Sequence, residues 1–337
     1  TWQDRAWTSE WTARSLSHAY GQESADTGGT LNSGGRCSDT SKSTKSECES
    51  FTAHEITDQA DGAHSVYAAD LDGDGDMDVL SASYTDNKIR WYENDGQANP
   101  TFTAHEITDQ ADGAVSVYAA DVDGDGDMDV LSASYTDNKI RWYENDGQAN
   151  PTFTAHEITT SADRALSVYA SDVDGDGDMD VLSASKGDDT IRWYENNGAE
   201  AFTAHTITTS AVGARSVYAA DVDGDGDMDV LSASQNDDKI VWYENDGQTN
   251  PSFTAREITD QADGAYSVYA ADVDGDGHMD VLSASYLDNK IAWYENDGAE
   301  SFTTHTITDQ ADARSVYAID VDGDGDMDVL SASYSDD

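Results

Sequence analysis

From Phe51 onward the chain repeats itself. A phrase opening on Phe-Thr recurs at Phe51, Phe102, Phe153, Phe202, Phe253 and Phe302. An acidic phrase, Asp-x-Asp-Gly-Asp-Gly-x-Met-Asp, recurs from Asp70, Asp121, Asp172, Asp221, Asp272 and Asp320, at steps of 51, 51, 49, 51 and 48 residues. A period near 50 belongs to propellers, solenoids or arrays, whose units bury their apolar faces only against one another. A length of 337 residues would otherwise suggest roughly two domains; one repeat array absorbs it.

Each unit carries four short segments of strand character. In the first they are Phe51–Thr57, Ser65–Ala69, Asp78–Tyr84 and Lys88–Glu93, rich in Val, Ile, Tyr, Trp and Thr and bounded by turn residues. The last alternates, with Ile89 and Trp91 on one face and Lys88, Arg90 and Tyr92 on the other. No segment keeps a helical period over three turns. The expected fold is therefore all-β, a propeller of four-stranded antiparallel blades. The strand before the acidic loop is innermost, since Ala68 and Ala69 suit the crowded axis. Blades then begin near His64, Val115, Leu166, Arg215 and Tyr266, and a sixth, incomplete one near Arg314. Phe51–Thr57 is expected to supply the outermost strand of that sixth blade and close the ring. Its missing third strand implies either that the natural protein continues beyond Asp337 or that part of residues 1–50 substitutes. Truncation is the expectation, and a seven-bladed parent is the alternative.

Two domains follow: an N-terminal segment, 1–50, and the propeller, 51–337. Thr30–Ser50 reads as a flexible Ser/Thr/Gly-rich linker. Cys37 and Cys48 lie in it, and either close one small loop or remain unpaired thiols. The chain opens on Thr with no signal-peptide apolar region, as a mature form or a fragment would.

Charge narrows the partners. With 69 Asp and Glu against 17 Lys and Arg, the formal charge is −52. That excludes a nucleic-acid binder, which needs clustered cations, and disfavours anionic membrane surfaces. No apolar run approaches the ~18 residues of a spanning helix, so membrane insertion is not expected.

The acid is concentrated in the repeated loops. Asp70, Asp72, Asp74, Asp76 and Asp78 place five carboxylates in nine residues, which repel strongly without a counter-cation. Gly73 and Gly75 permit the left-handed backbone that lets alternate positions converge. So many hard oxygens select Ca²⁺ over Mg²⁺, which demands a stricter octahedron, and over zinc, which wants Cys or His. An EF-hand is excluded, because position twelve is Ser81 and the flanks are strands. The same set recurs as Asp121, Asp123, Asp125, Asp127 and Asp129; as Asp172, Asp174, Asp176, Asp178 and Asp180; and as Asp221, Asp223, Asp225, Asp227 and Asp229. The last two copies are Asp272, Asp274, Asp276, His278 and Asp280, and Asp320, Asp322, Asp324, Asp326 and Asp328. His278 at position seven implies that this position offers its main-chain carbonyl. Positions one, three, five and nine are then the side-chain ligands. About one Ca²⁺ per loop, six in all, is expected.

The run Val-Tyr-Ala-Ala-Asp-Val-Asp-Gly-Asp-Gly-Asp-Met-Asp-Val-Leu-Ser-Ala-Ser resembles the FG-GAP/VCBS repeat, the calcium-loop blade of integrin α subunits and of many secreted microbial proteins. The resemblance covers Phe51 to Asp337. It implies a propeller with Ca²⁺ bound between the first two strands of each blade, and an extracellular module for adhesion or ligand binding.

Two positions vary between copies. One precedes Ser-Val at the mouth of the inner strands: His64, Val115, Leu166, Arg215, Tyr266 and Arg314. The other lies in the third strand: Arg90, Arg141, Arg192, Val241 and Ala292. The first is a candidate recognition rim. The repeated Trp91, Trp142, Trp193, Trp242 and Trp293 fit inter-blade core better than sugar stacking. His54, His105, His156, His205 and His305, with Arg256 in one copy, read as surface residues. No catalytic motif stands out. The expected function is thus non-enzymatic: an extracellular calcium-binding propeller recognising a protein or glycan ligand. The alternative is a carbohydrate-binding module of, or accessory to, a secreted polysaccharide-degrading enzyme.

Overall fold

A computed structural model of the chain describes residues 53–310 and 312–334, together with two short strands, Leu31–Asn32 and Arg36–Cys37, which pair antiparallel inside the expected linker. The rest of residues 1–50, Cys48 included, lies outside the described residues, and so does the question of its pairing with Cys37.

Among the described residues there is no helix, so none is long and apolar enough to cross a membrane. Five four-stranded antiparallel sheets follow one another, each built from consecutive strands in the order inner, second, third, outer. The first comprises Ala63–Ala69, Asp78–Ser83, Lys88–Asn94 and Phe102–Thr108. The next four begin at Ala114, Ala165, Ala214 and Ala265. A sixth sheet has two strands, Ala313–Ile319 and Asp328–Ser333. The phasing is that expected from the repeat, with each inner strand starting one or two residues earlier.

The expected closing strand is not formed. Phe51 and Thr52 lie outside the described residues, and of Ala53–Thr57 only Glu55 makes a bridge. The reason is in the pairing rule of the other sheets. An outer strand pairs with a third strand, as Trp91 does opposite His105, and the sixth sheet has no third strand to offer. The succession of described sheets is accordingly open.

Neighbouring sheets share their cores. Leu80, Ile89 and Trp91 of the first pack with Ala114, Val117, Val130 and Tyr143 of the second; the same set recurs at the next three junctions, and at the fifth without the tyrosine, which belongs to a third strand. The five repeated tryptophans, Trp91, Trp142, Trp193, Trp242 and Trp293, are buried, which settles them as core. Burial of such side chains is worth roughly 2–3 kcal/mol each. Inner strands also meet directly: the Val117 N–H donates to Ser65 Oγ at 3.3 Å, and Val168 to Ser116 at 3.2 Å. Beside these contacts runs a file of phenol rings, Tyr67, Tyr118, Tyr169, Tyr218, Tyr269 and Tyr317, with neighbouring centroids 4.5–4.7 Å apart. The architecture is that of repeated sheets of the propeller type.

Candidate metal centres

Every acidic loop joins an inner strand to the second strand of its own sheet, at the same end of each sheet. Gly73 and Gly75 adopt φ of 72° and 93°, the left-handed turns expected of them. The loop coils around its first residue. Asp70 Oδ1 accepts from the Gly73 N–H and Oδ2 from the Gly75 N–H, both at 2.9 Å. Asp72 and Asp74 each cap the N–H two residues on.

Position nine anchors the loop from below. Asp78 Oδ2 accepts from the Leu71 N–H at 3.0 Å and Oδ1 from the Asn94 N–H at 2.8 Å, and the residue is 1% exposed. Burial pushes its carboxyl up to about 6, only partly offset by those two donors. Asp129 and Asp180 sit likewise at about 6 and Asp229 at about 7, while Asp280 and Asp328 are also raised by burial. Asp72, at position three, is raised by partial burial and by the charges of Asp74, Asp70 and Glu93. These are carboxylates crowded together, with like charges bearing on them.

Carboxylate oxygens of Asp70, Asp72 and Asp78 come within 4.8 Å of one another, as do those of Asp121, Asp123 and Asp129, and of Asp172, Asp174 and Asp180. In the fourth and fifth loops the converging sets are Asp221, Asp223 and Asp225, and Asp272, Asp274 and Asp276. Positions one, three, five and nine all take part in one loop or another. Position seven stands apart. The carboxylates of Asp76, Asp127, Asp178 and Asp227 lie where a side chain on Gly96, Gly147, Gly198 or Gly247 would stand, and the His278 ring covers Gly298 in the same way. That side chain faces the turn between third and outer strands, so Asp and His are interchangeable there. Oxygen-only donors around a left-handed double turn suit a hard cation of calcium type.

The loops are also tied across sheets. Asn145, at the end of the second sheet's third strand, donates from Nδ2 to Leu71 O at 2.8 Å in the first sheet's loop, and to Met128 O at 3.0 Å in its own. Asn196, Asn245 and Asn296 repeat the clamp. Position twelve, Ser81, is buried against the Tyr92 hydroxyl at 3.2 Å and is no ligand.

The histidines lie at the surface as expected, but each is held by two partners. His105, His156, His205 and His305 are only partly exposed; each stacks on the tryptophan of the adjacent third strand at 4.4–4.5 Å. Each Nε2 lies 2.6–2.9 Å from a glutamate, Glu93, Glu144, Glu195 or Glu295. Arg256 keeps both contacts in the fourth sheet, over Trp242 and against Glu244. Cross-strand register creates this set, and only that register would have disclosed it.

Residues at the rim opposite the acidic loops were only half legible. Arg215, Tyr266 and Arg314 stand there as expected, at the start of inner strands. Lys186, Gln235 and Tyr286, just after the second strands, join them. Comparing copies column by column (Tyr84, Tyr135, Lys186, Gln235, Tyr286, Tyr334) would have disclosed this further variable position.

Fold and loops together define a class: repeat proteins of antiparallel sheets, each with an oxygen-rich acidic loop at its inner hairpin. The FG-GAP-like repeat profile matches residues 70–132, 122–183, 172–232, 221–283 and 272–331, and the chain belongs to that family. No protein of curated function matches significantly. Among solved structures, an Agrocybe aegerita lectin that recognises non-reducing terminal N-acetylglucosamine is similar at 20% identity and a TM-score of 0.58, over 81% of this chain and 75% of the lectin. A functionally unknown protein from Desulfotomaculum acetoxidans is similar at 10% identity and a TM-score of 0.50, over 73% and 69%.

Proposed function

We propose that the chain is a calcium-stabilised β-propeller that recognises a ligand outside cells, the cation serving the fold and not a reaction. One observation carries this reading: converging carboxylates recur at the same hairpin of successive sheets and are clamped to the neighbouring sheet. Side chains of Asp70, Asp72, Asp74 and Asp78, with the main-chain carbonyl of Asp76, would hold the ion in the first loop, and the corresponding positions in the other five. A cation bound only by the native state contributes RT ln(1 + [L]/Kd), about 1.4 kcal/mol per site at ten times Kd and roughly 8 kcal/mol over six. Extracellular sites bind with Kd of order 0.1–1 mM, which favours a secreted or cell-surface location. Calcium titration is expected to give about six ions per chain, and chelation to lower the melting temperature by tens of degrees. An unchanged melting curve would refute the reading.

Six blades, or seven in a longer parent, is the ring we propose. The angle between equivalent planes cannot exceed the rotation relating them, and successive tyrosine rings are inclined by 46–47°. An inclination of that size between successive sheets supports a ring of six or seven.

Carbohydrate recognition is the second reading, supported by the lectin that shares the fold at a TM-score of 0.58. A glycan array with and without calcium separates it from adhesion to protein.

A further inference from the structure

Cations are scarce in this chain, and most of those in the described sheets are paired. Residues 53–334 hold twelve Lys and Arg. Nine pair with a carboxylate: Lys88, Arg90, Lys139, Arg141, Arg192, Lys239, Arg256, Lys290 and Arg314. Among the described residues Arg164, Lys186 and Arg215 have no carboxylate partner, and these three come from one stretch of the rim opposite the acidic loops.

Lys186 and Arg215 make their hydrogen bonds and ring contacts to neutral and aromatic groups, with the Asp163 carboxylate nearby against Gly187 but bonded to neither cation. Lys186 Nζ donates to Gln235 Oε1 at 2.8 Å and Arg215 Nη1 to the same oxygen at 3.2 Å, while Gln235 Nε2 donates to the Tyr286 hydroxyl at 2.9 Å. The Arg215 guanidinium lies 3.3 Å over the Tyr266 ring, and its Nε is buried with no partner. Arg314 lies 4.9 Å from the same ring and 4.7 Å from Tyr286. Lys186 is held below its ordinary pKa by burial and by the charges of Arg215 and Arg164. Two cations sharing one neutral acceptor, with a buried N–H unanswered, make a site short of negative charge in a protein with far too much of it elsewhere.

We infer that this rim binds the carboxylate of an acidic sugar residue, such as a uronic acid, between Lys186 and Arg215, with the sugar ring against the half-buried Tyr266 and Tyr286. Arg and Lys supply charge-assisted bonds to the carboxylate, and Gln235 and the tyrosine hydroxyls match sugar hydroxyls. A single acidic residue fits better than a polyanion, because the positive patch spans two or three sheets and the rest of the surface is acidic. The inference rests on the reading of the chain as a recognition module and names its ligand class.

The test is calorimetric titration of the calcium-loaded chain with glucuronate, glucose and N-acetylglutamate. Glucuronate is expected to bind at least tenfold more tightly than either of the others. Arg215→Gln and Lys186→Gln should each weaken it by about tenfold, the worth of one charge-assisted hydrogen bond, without changing calcium stoichiometry. Lys186 is on the rim, so its variant remains informative if Arg215→Gln folds poorly. Equal affinity for glucose, equal affinity for N-acetylglutamate, or indifference to both substitutions overturns the inference. If a glycan array shows a neutral glycan bound in that event, the recognition reading survives alone; with no ligand bound at all, both fall.

Discussion

Removing divalent cations should invert the pH dependence of stability. In the metal-free protein Asp78, Asp129 and Asp180 titrate at about 6 and Asp229 at about 7, against an ordinary 3.8. Between those limits the folded state holds a proton that the unfolded chain has released. Stability therefore falls as pH rises: the contribution is complete below about pH 4 and lost by pH 6–7. A shift of about two units corresponds to roughly 3 kcal/mol per loop, so four loops sum to roughly 12 kcal/mol, on the scale of a whole domain's stability. With calcium the sign reverses, because the ligands must be ionised to bind it. Over the same window the loaded protein gains stability with pH.

Urea unfolding followed by tryptophan fluorescence, at pH 5 and pH 7.5, on dialysed protein with and without millimolar calcium, reads both slopes. Trp91, Trp142, Trp193, Trp242 and Trp293 are buried at the sheet junctions, so the calcium- and pH-dependent part of the signal reports the packing in question. Metal-free protein that is as stable at pH 7.5 as at pH 5 would refute the argument. So would parallel slopes in the two conditions.

Three further outcomes follow from single contacts. Asn196→Ala removes bonds to Val122 O and Met179 O at 2.8 and 3.1 Å; it should cost about 2–3 kcal/mol in denaturant unfolding. In the fifth loop His278→Asp should leave calcium affinity within about twofold, whereas Asp274→Ala should lower it more than tenfold by titration. Arg141 donates to Gln110 O at 2.7 Å and Asp137 at 3.1 Å, but Val241 leaves the equivalent space open beside Ser210 and a buried, unpartnered Asp237 Oδ1. Val241→Arg should therefore add about 1 kcal/mol, a rise of roughly 2–4 °C in melting temperature.

What could be read along the chain was whatever repeats or alternates. The Asp-Gly double turn marks an inner hairpin in every copy, so the phasing of the sheets followed from Asp70 to Asp320 without any knowledge of packing. His278 alone separated position seven from the other loop positions, and its ring over Gly298 shows why: that side chain leaves the cluster. The trio Trp91, His105 and Glu93 was hidden because it depends on which residue of Phe102–Thr108 faces Trp91, and pairing register is not written locally.

The rim shows the deeper limit. Lys186 and Arg215 are 29 residues apart and Tyr266 a further 51, and no local pattern joins them. They meet because each sheet repeats its neighbour after a fixed rotation, which turns a column of equivalent positions into an arc. Variation within a column is visible from the copies themselves; whether two columns coincide in space depends on the strand lengths between them. Lys186 follows directly on a six-residue strand that runs antiparallel to its seven-residue inner neighbour, and that places it at the height of Arg215 on the next sheet. A one-residue insertion after Ala184, clear of the loop residue Asp180, would shift Lys186 out of that arc while leaving every acidic loop intact. Such a variant should keep its calcium and lose its affinity for glucuronate, which separates recognition from stability on two ends of one strand.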